Sequence, residues 1–499
     1  MPLTLYNTYS KKEEEFIPLI GGEVKMYTCG PTVYGRPHIG NYSSFLMADL
    51  LRRWLEVGHR YKVTHVKNIT DVGHLVADAD TGEDKIEKQA REEHGAVTHE
   101  SVIAIARKYE AQYLEDEKAL NLREPEHRPR ATEYIEQMKQ MIDMLLTSGH
   151  AYVLDDGIYF DVAKFSAYGR LSGNTLDNLS AGARVEVKDA KRHPADFALW
   201  KFCVGQNEKH ALRWKSPSSA KATEGKPGNK NPDGFPGWHI ECSAMSSSLL
   251  GKTLDIHTGG EDNIFPHHEC EIAQSESASG HRFVRYWLHK RRIDLAGEKM
   301  SKSLGNVLSV PTVIEKSYSA LDLRFYLLSV HYRTNLKFSW KGMDEARDSR
   351  RSILEWMERG GVSAYAAIVK EGVESPSVSS ADIQKFDEEF SSAMDTDLNV
   401  SGALAAVHNC MHKTNASVMP DESTKIALQT FIRKIRDTFG CFDAAPEAAI
   451  PAAVQELVAQ RAAARASKDF KESDRLRDEI KKAGYEVRDE MKEQKIKKL

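Results

Sequence analysis

The sequence has 499 residues, a formal net charge of -4, 41% hydrophobic residues and 28% charged residues, which is ordinary for a soluble globular protein of about three domains. So small a net charge gives no global attraction to a polyanion, and any nucleic-acid contact has to rest on local patches. The six cysteines are scattered without a CxxC pair, which excludes a dense disulfide scaffold of the secreted type.

No targeting or membrane segment is evident. The N-terminal residues MPLTLYNTYSKKEEEF lack the basic start and apolar core of a signal peptide. No uncharged apolar run approaches the ~18 residues that a membrane span needs. We therefore expect a cytoplasmic protein, a monomer, with no membrane partner.

The first third of the chain predicts a strand–helix–strand unit. Residues 23–30 (EVKMYTCG) and 59–70 (HRYKVTHVKNIT) have the composition of strands. Residues 41–58 between them repeat apolar side chains at helical spacing, with Asn41 as the expected N-cap. Such a βαβ unit implies a parallel sheet that binds its ligand at the carboxyl ends of the strands.

The pattern then changes several times. A Pro-bearing linker, a helix and a hairpin predict an inserted module, and a Ser/Pro/Gly/Lys-rich loop follows at 216–237. Strand patterns return at 253–260 and 282–293, and the chain is mostly helical beyond 311. The predicted fold is α/β: a Rossmann-type parallel sheet split by the module, a helical bundle and a small C-terminal helical domain. The predicted boundaries are 1–120 and 197–310 for the catalytic domain, 121–196 for the module, 311–380 for a stem-contact region, 381–445 for the bundle and 452–499 for the last domain.

The stretch FPHHECEIAQ, residues 265–274, concentrates metal-binding side chains. Pro266 predicts the first turn of a helix, on which His267 and Glu271 share a face and Cys270 flanks it. These residues are either part of a metal site completed from elsewhere or a polar helix start with a cysteine in the core.

Two further stretches suit phosphate chemistry. His38, Gly40 and Asn41 directly precede the first long helix, whose N-terminus offers free N–H groups. In GEKMSKSLGN, residues 297–306, Lys299 and Lys302 lie on a short polar turn that could follow the charge of a triphosphate. Taken singly, the first stretch is better explained by a structural histidine and the second by an exposed basic loop.

The ordered set of motifs resembles the cysteinyl-tRNA synthetase family of class I aminoacyl-tRNA synthetases. The His-Ile-Gly element and Lys-Met-Ser-Lys-Ser give the class resemblance. The likeness to the family covers nearly the whole chain and rests on PTVYGRPHIGN, VKNITDVG, GARVEV, DFALWK, GWHIECSAM, TLDIHTGGEDNIFPHHECEIAQ, GEKMSKSLGN, TDLNVSGALAAV and AQRAAARASKDFKESDRLRDEI.

The resemblance implies one zinc ion per chain, bound by Cys29, Cys242, His267 and Glu271. Sulfur, nitrogen and oxygen are all zinc ligands, and the spacing of His267 and Glu271 agrees with the helix face described above. Cys270 competes with Glu271 for the fourth position, and we favour Glu271 because it matches the family. Since a thiolate binds zinc far better than a neutral hydroxyl, ligation of the substrate would separate cysteine from serine without an editing domain.

The implied reaction joins L-cysteine to tRNA(Cys) through cysteinyl-adenylate, with ATP and Mg²⁺. His38, Asn41, Lys299 and Lys302 would bind and stabilise phosphates without a protein nucleophile. Trp238 would form one wall of the cysteine pocket, although it is also compatible with a core position. Asp262 would pair with the substrate ammonium, or is a solvated loop acid. The adenosine side is expected at His257, Gly259 and Gly260.

Some features depart from the family or leave alternatives. Asn41 stands where many synthetases have a second histidine, the loop at 216–233 has no assigned role, and the chain ends in MKEQKIKKL, which puts the anticodon-reading module in doubt. One rival function is a cysteine ligase acting on a small amine, as in mycothiol biosynthesis. Nearly 190 residues after 311 argue against it, since only a tRNA enzyme needs helical modules there. The other rival is a catalytically silent RNA-binding relative, against which the intact motifs argue.

Overall fold

The computed structural model divides into two compact units, Met1–Phe442 and Asp443–Leu499. None of the helices in its described parts is long and apolar enough to cross a membrane. The described residues are 2–75, 82–176, 178, 190–218, 232–295, 298–299, 307–360, 377–415, 421–443, 452–467, 469–489 and 494–498.

Strands and helices alternate in the first two thirds of the described chain. The strands are β1 Thr4–Asn7, β2 Lys12–Glu15, β3 Glu23–Thr28, β4 Lys62–Lys67, β5 Ala151–Leu154, β6 Gly157–Phe160, β7 Phe197–Phe202, β8 Trp214–Lys215, β9 Asp233–Pro236, β10 Leu254–Gly260, β11 Val284–Lys290, β12 Ile293–Leu295, β13 Glu298–Lys299, β14 Leu336–Phe338, β15 Tyr485–Asp489 and β16 Gln494–Lys498. The helices are α1 Ile39–Val57, α2 Lys85–His94, α3 His99–Ala119, α4 Ile135–Thr147, α5 Trp238–Leu250, α6 Glu269–Ser279, α7 Val310–Glu315, α8 Ala320–Ser329, α9 Trp340–Glu358, α10 Ser380–Asp395, α11 Val400–Asn415, α12 Glu422–Phe439, α13 Ala452–Ala466 and α14 Phe470–Lys482.

The predicted split parallel sheet is confirmed. Its strand order is β11-β10-β3-β4, and all neighbouring strands run parallel. β3, α1 and β4 form the predicted βαβ unit, and most of α1 is buried. β10 and β11 are buried almost throughout, as expected of a parallel sheet covered on both faces. Ligands of such a sheet bind beyond its carboxyl edge, which here is formed by Thr28, Lys67, Gly260 and Lys290.

The insertion between β4 and β10 contains a second, antiparallel sheet. Its five strands have the order β5-β6-β7-β9-β8. The hairpin predicted after α4 is formed by β5 and β6. β6 pairs directly with β7, Phe160 opposite Phe197, so this sheet continues across the predicted boundary at residue 196.

After residue 310 the described chain is mostly helical, as predicted. α10 packs against both α11 and α12, and α12 also packs against α1. A buried ionic cluster lies where α1, α8 and the end of α12 meet, and we define it as Asp49, Arg53 and Arg324. Both arginines donate to Asp49 Oδ2, Arg53 through Nε at 2.7 Å and Arg324 through Nη2 at 2.5 Å.

The C-terminal unit contains α13 and α14, and then the antiparallel strands β15 and β16. The sequence predicted only a helical hairpin here, so the strands correct that interpretation. Gly484, with a φ of 85°, follows the end of α14, because glycine adopts this left-handed region without a steric cost. After it, Tyr485 and Val487 alternate into the core of this unit, which is the two-residue period of a strand.

Candidate metal and nucleotide site

Four buried side chains with metal-binding atoms converge beyond the carboxyl end of β3. Cys29 follows β3, Cys242 lies on α5, His267 precedes α6, and Glu271 lies in the first turn of α6. One ligand atom from each residue lies within 4.8 Å of the others, and all four residues are buried. We call these four residues the metal group.

The distances within the metal group suit a tetrahedral zinc ion. The two sulfur atoms are 3.8 Å apart, Cys29 Sγ lies 3.7 Å from Glu271 Oε1, and His267 Nε2 lies 3.0 Å from the same oxygen. Zinc–sulfur bonds of about 2.3 Å and zinc–nitrogen or zinc–oxygen bonds of about 2.0–2.2 Å place tetrahedral ligands roughly 3.3–3.8 Å apart. The donor set therefore fits the predicted ion with small adjustments.

A second combination of ligands shares two residues with the metal group. Its members, also within 4.8 Å of one another, are Cys29, His257, His268 and Glu271. It offers two imidazoles where the metal group offers one imidazole and a second thiol, and thiolates favour zinc. His267 also has an outer partner of the kind that orients metal-bound imidazoles, since its Nδ1 lies 3.0 Å from His239 Nδ1. His268 of the second combination has such a partner too, since its Nδ1 lies 2.8 Å from His289 Nε2. The donor set alone therefore favours the metal group.

The charges of the metal group suit a cation. Burial favours the neutral form of Glu271, but His257 and His267 outweigh it and lower the pKa to about 2. Burial also opposes ionisation of Cys242, yet a hydrogen bond from Cys29 and the nearby His267 lower the pKa of this thiol to about 6. Burial and the neighbouring Cys242 raise the pKa of the Cys29 thiol, so metal binding has to displace its proton.

Cys270 points away from the metal group. Its side chain is buried in the main hydrophobic core, and its sulfur lies 3.5 Å from the hydroxyl of Tyr168. The helix also begins later than predicted: α6 starts at Glu269, and Phe265 in the preceding turn has an extended backbone. His267 and Glu271 nevertheless remain in contact, which supports our choice of Glu271 over Cys270.

The N-terminus of α1 differs from the prediction in one respect. The N-cap is His38 and not Asn41, which occupies the third helical position. His38 Nδ1 accepts a hydrogen bond from the Asn41 backbone N–H at 3.3 Å, and Asn41 Oδ1 accepts one from the His38 N–H at 3.0 Å. The sequence favoured Asn41 because histidine is not among the usual capping residues.

A cavity of about 710 Å³ extends from Cys29 of the metal group to the N-terminus of α1. This volume lies in the range of small-molecule sites. Seven predicted site residues line it: Cys29, His38, Gly40, Asn41, Trp238, Gly260 and Asp262. Trp238 stacks on His267 with ring centroids 4.2 Å apart, and Asp262 is exposed. Cys29 of the metal group and the N-terminus of α1 therefore border the same cavity.

Other predicted residues lie elsewhere. His257 is fully buried and its Nε2 lies 3.0 Å from Glu271 Oε2, so it contacts the metal group and not an adenosine site as the sequence suggested. At Gly259 a Cβ atom would lie 2.6 Å from His268 Cε1, which explains this glycine by ring packing. Lys299 belongs to β13, and Lys302 and most of the 216–233 loop lie outside the described residues.

Several residues of the cavity wall were not predicted as site residues. Thr32, His74 and Lys85 line the cavity beside Trp238. His74 and Lys85 are close because their neighbours Leu75 and Asp84 form an antiparallel bridge, and neither belongs to a motif that sequence reasoning singles out. The proximity of His74 to Trp238 could not be read from the sequence, since it joins two distant segments.

Lys290 was also missed, and it supports a prediction about stability. Its side chain lines the cavity, is only 4% exposed and donates to the Arg291 carbonyl oxygen at 3.3 Å. Burial lowers its pKa from 10.5 to about 8, although Glu261 opposes the shift. Such a shift corresponds to a cost on the order of 3 kcal/mol for holding the charged form in the fold.

We therefore expect Lys290→Met to raise the free energy of unfolding at pH 7 by about 1–3 kcal/mol. Between pH 8 and 10.5 the unfolded wild type binds more protons than the folded wild type, so its stability rises with pH and the advantage of the variant shrinks. Urea unfolding of both proteins at pH 7 and pH 10 measures the difference. A variant less stable than the wild type at pH 7 would contradict the prediction.

Comparison with known proteins identifies the family. Residues 15–348 match the family described as tRNA synthetases class I (C) catalytic domain. Residues 389–443 match the DALR domain, and residues 447–496 match the cysteinyl-tRNA ligase anticodon binding domain. The chain is 39% identical over 506 residues to the cysteine–tRNA ligase of Pyrococcus horikoshii, covering 99% of this chain and 98% of that protein. The chain belongs to the cysteine–tRNA ligase family.

Further cysteine–tRNA ligases agree with this assignment. The protein of Treponema denticola is 38% identical over 517 residues and covers 100% of both chains. Among solved structures, methionyl-tRNA synthetase of Mycobacterium tuberculosis bound by methionyl-adenylate has a TM-score of 0.54 at 14% identity, covering 84% of this chain and 90% of that one. This likeness concerns the fold alone. The match to an anticodon-binding domain does not favour the alternative function, a cysteine ligase that acts on a small amine.

Proposed function

We propose that this protein activates L-cysteine with ATP to cysteinyl-adenylate and transfers the cysteine to the 3′ end of tRNA(Cys), with Mg²⁺ accompanying ATP. The observation that carries the proposal is the cavity that Cys29 of the metal group and the N-terminus of α1 both line. A thiol-binding centre and a phosphate-binding helix end are what the activation of cysteine by ATP requires.

The metal group would hold one Zn²⁺ ion through Cys29, Cys242, His267 and Glu271. Bound zinc would supply a site that takes the substrate sulfur as thiolate and discriminates against the hydroxyl of serine. The protein contributes to this selectivity because all four ligand residues are buried and therefore shielded from water. The lowered pKa values of Glu271 and Cys242 mean that the carboxylate and this one thiolate are already in the ligand form near neutral pH, whereas Cys29 loses its proton on metal binding.

His38 is suited to donate a hydrogen bond to a phosphate oxygen. Because its Nδ1 accepts from the Asn41 backbone, the proton of the neutral ring is on Nε2. The side-chain oxygen of Asn41 is occupied by the His38 N–H, so its amide group is left as the donor end. The partial positive charge of the α1 N-terminus adds to both.

The cavity also offers a place for the amino acid itself. We assign Trp238 to the wall beside the metal group, because its indole stacks on His267. Asp262 on the opposite turn lines the same cavity and is the candidate partner of the substrate ammonium. Gly260 lies on the adenosine side, and Lys299 with Lys302 would stabilise the leaving pyrophosphate, an assignment that rests on the motif.

The proposed partners of the remaining modules follow from the same reaction. The helices after residue 310 would contact the stem of the tRNA, and the C-terminal unit would lie on the anticodon side. We further propose a cytoplasmic monomer. The rival ligase of a small amine shares the activation step but has no use for a tRNA-binding module.

The decisive experiment compares three reactions of the purified protein. We expect cysteine-dependent exchange of pyrophosphate into ATP, charging of tRNA(Cys) with cysteine, and negligible reaction with serine. A chelator that removes zinc should abolish the first two. Exchange without tRNA charging would point to the small-amine ligase, and preference for cysteine over serine in a metal-free enzyme would overturn the role of zinc.

A further inference from the structure

A zinc ion that selects the substrate by its thiol does not reject other amino acids that carry a thiol. Zinc separates a thiolate from a hydroxyl, but it binds the sulfur of a longer thiol amino acid such as homocysteine equally well. Only the size of the pocket can reject one additional methylene, and such steric selection is worth about 10–200-fold. The residues that fix the pocket wall are therefore specificity determinants, provided that the proposed function holds.

Trp238, the proposed wall, stacks on a second ring besides His267. The imidazole of His74 lies parallel to its indole, with ring centroids 4.1 Å apart and an angle of 11° between the planes. His74 is 6% exposed and lines the cavity together with Trp238. The indole plane is thus defined by contacts with both imidazoles.

His74 is itself held from two segments of the chain. Its Nδ1 lies 2.6 Å from Thr32 Oγ1, in the loop that follows Cys29, and its Nε2 lies 2.7 Å from the ammonium of Lys85 at the start of α2. An ammonium only donates, so Nε2 accepts and Nδ1–H donates to Thr32. The Lys85 backbone N–H also donates to the His74 carbonyl oxygen at 3.0 Å. These bonds fix both the ring plane and its tautomer.

We propose that His74 is a positioning residue that sets the substrate specificity of the pocket. By holding the Trp238 indole against His267, it limits the length of the thiol side chain that reaches the metal group. Thr32 and Lys85 act through it, because each bonds one ring nitrogen. His74 takes no part in the transfer of protons or phosphate, and its effect is confined to the choice between thiol amino acids of different size.

The test measures kcat/KM for cysteine and for homocysteine in pyrophosphate exchange. We expect His74→Ala to lower the ratio of the two values by about tenfold or more, with the KM for ATP and the zinc content unchanged. His74→Phe should keep most of the discrimination, since it restores the stacked ring. His150→Ala is the matched control: this histidine stacks on Phe160, with centroids 6.3 Å apart, away from the residues that line the cavity.

Thr32→Val is a second variant for the case in which His74→Ala does not fold. It removes one hydrogen-bond partner of His74 and leaves the imidazole ring in place. It should lower the ratio by a smaller factor in the same direction. An unchanged ratio in folded His74→Ala, or an equal loss of activity with both thiols, would overturn the inference alone. Absence of cysteine-dependent exchange in the wild type would instead overturn the proposed function on which it rests.

Discussion

Replacing Glu271 by Ala is expected to abolish the proposed zinc binding and to lower kcat/KM for cysteine by more than about 100-fold. Loss of an outer partner of a metal ligand already costs 10–100-fold, and Glu271 is placed as a ligand itself. The carboxylate also contacts His257 and His267, so its loss removes the charge that orients both rings. Metal content by mass spectrometry and pyrophosphate exchange with cysteine measure the two effects.

Cys270→Ala is the matched control for this prediction. The residue is adjacent in sequence and equally buried, but its sulfur faces Tyr168 in the core. We expect this variant to retain zinc and selectivity, and to lose stability only through the small cavity that remains. Loss of zinc in the Cys270 variant together with its retention in the Glu271 variant would reverse our assignment of the fourth ligand.

The parallel sheet was predictable because its signals are local. β3, α1 and β4 each carry the period and length of their element, and their order alone implies the βαβ connection. The two C-terminal strands were not predicted, because β15 is only five residues long and directly follows a helix. Gly484 and the alternation of Tyr485 and Val487 were the available signals, and they are short beside the helical pattern before them.

The proposed ligands could be predicted because a family resemblance joins distant segments that no local pattern joins. Cys29 and Cys242 are 213 residues apart, and their convergence needs the pairing of β3 with β10. The position of His257 could not be predicted in the same way. It lies in β10 two residues before a glycine pair, and the sequence does not tell which face of the strand it occupies until the neighbours are known. In the fold it packs on Trp287 of β11 and meets Glu271.

The buried ionic cluster supports the second large prediction, a loss of stability on replacing Arg324 by Met. Arg324 is fully buried and donates to Asp49 and to the carbonyl oxygens of Leu120, Asn121 and Phe439. Methionine fills a similar volume but donates to none of them. Breaking a buried pair typically costs about 3–5 kcal/mol. Asp49 keeps its bond to Arg53 but loses Arg324, and the carbonyl oxygens of Leu120 and Phe439 lose this donor, so we expect the lower end of this range. Urea unfolding at pH 7 should show a loss of this size.

The pH dependence of this loss separates charge from packing. Burial opposes ionisation of Asp49, but Arg324 and Arg53 outweigh it and hold the pKa of this carboxyl below its usual 3.8. A lowered pKa stabilises the fold above pH 3.8, and that contribution is lost as the pH falls below it. The difference between wild type and variant should therefore narrow in acid. Arg351→Met is the control, since Arg351 is 58% exposed and pairs only at the surface with Asp348, where a pair contributes about 0–1 kcal/mol. A loss that stayed constant down to pH 3 would assign the effect to packing and contradict the role of the ion pair in joining α1 to α8.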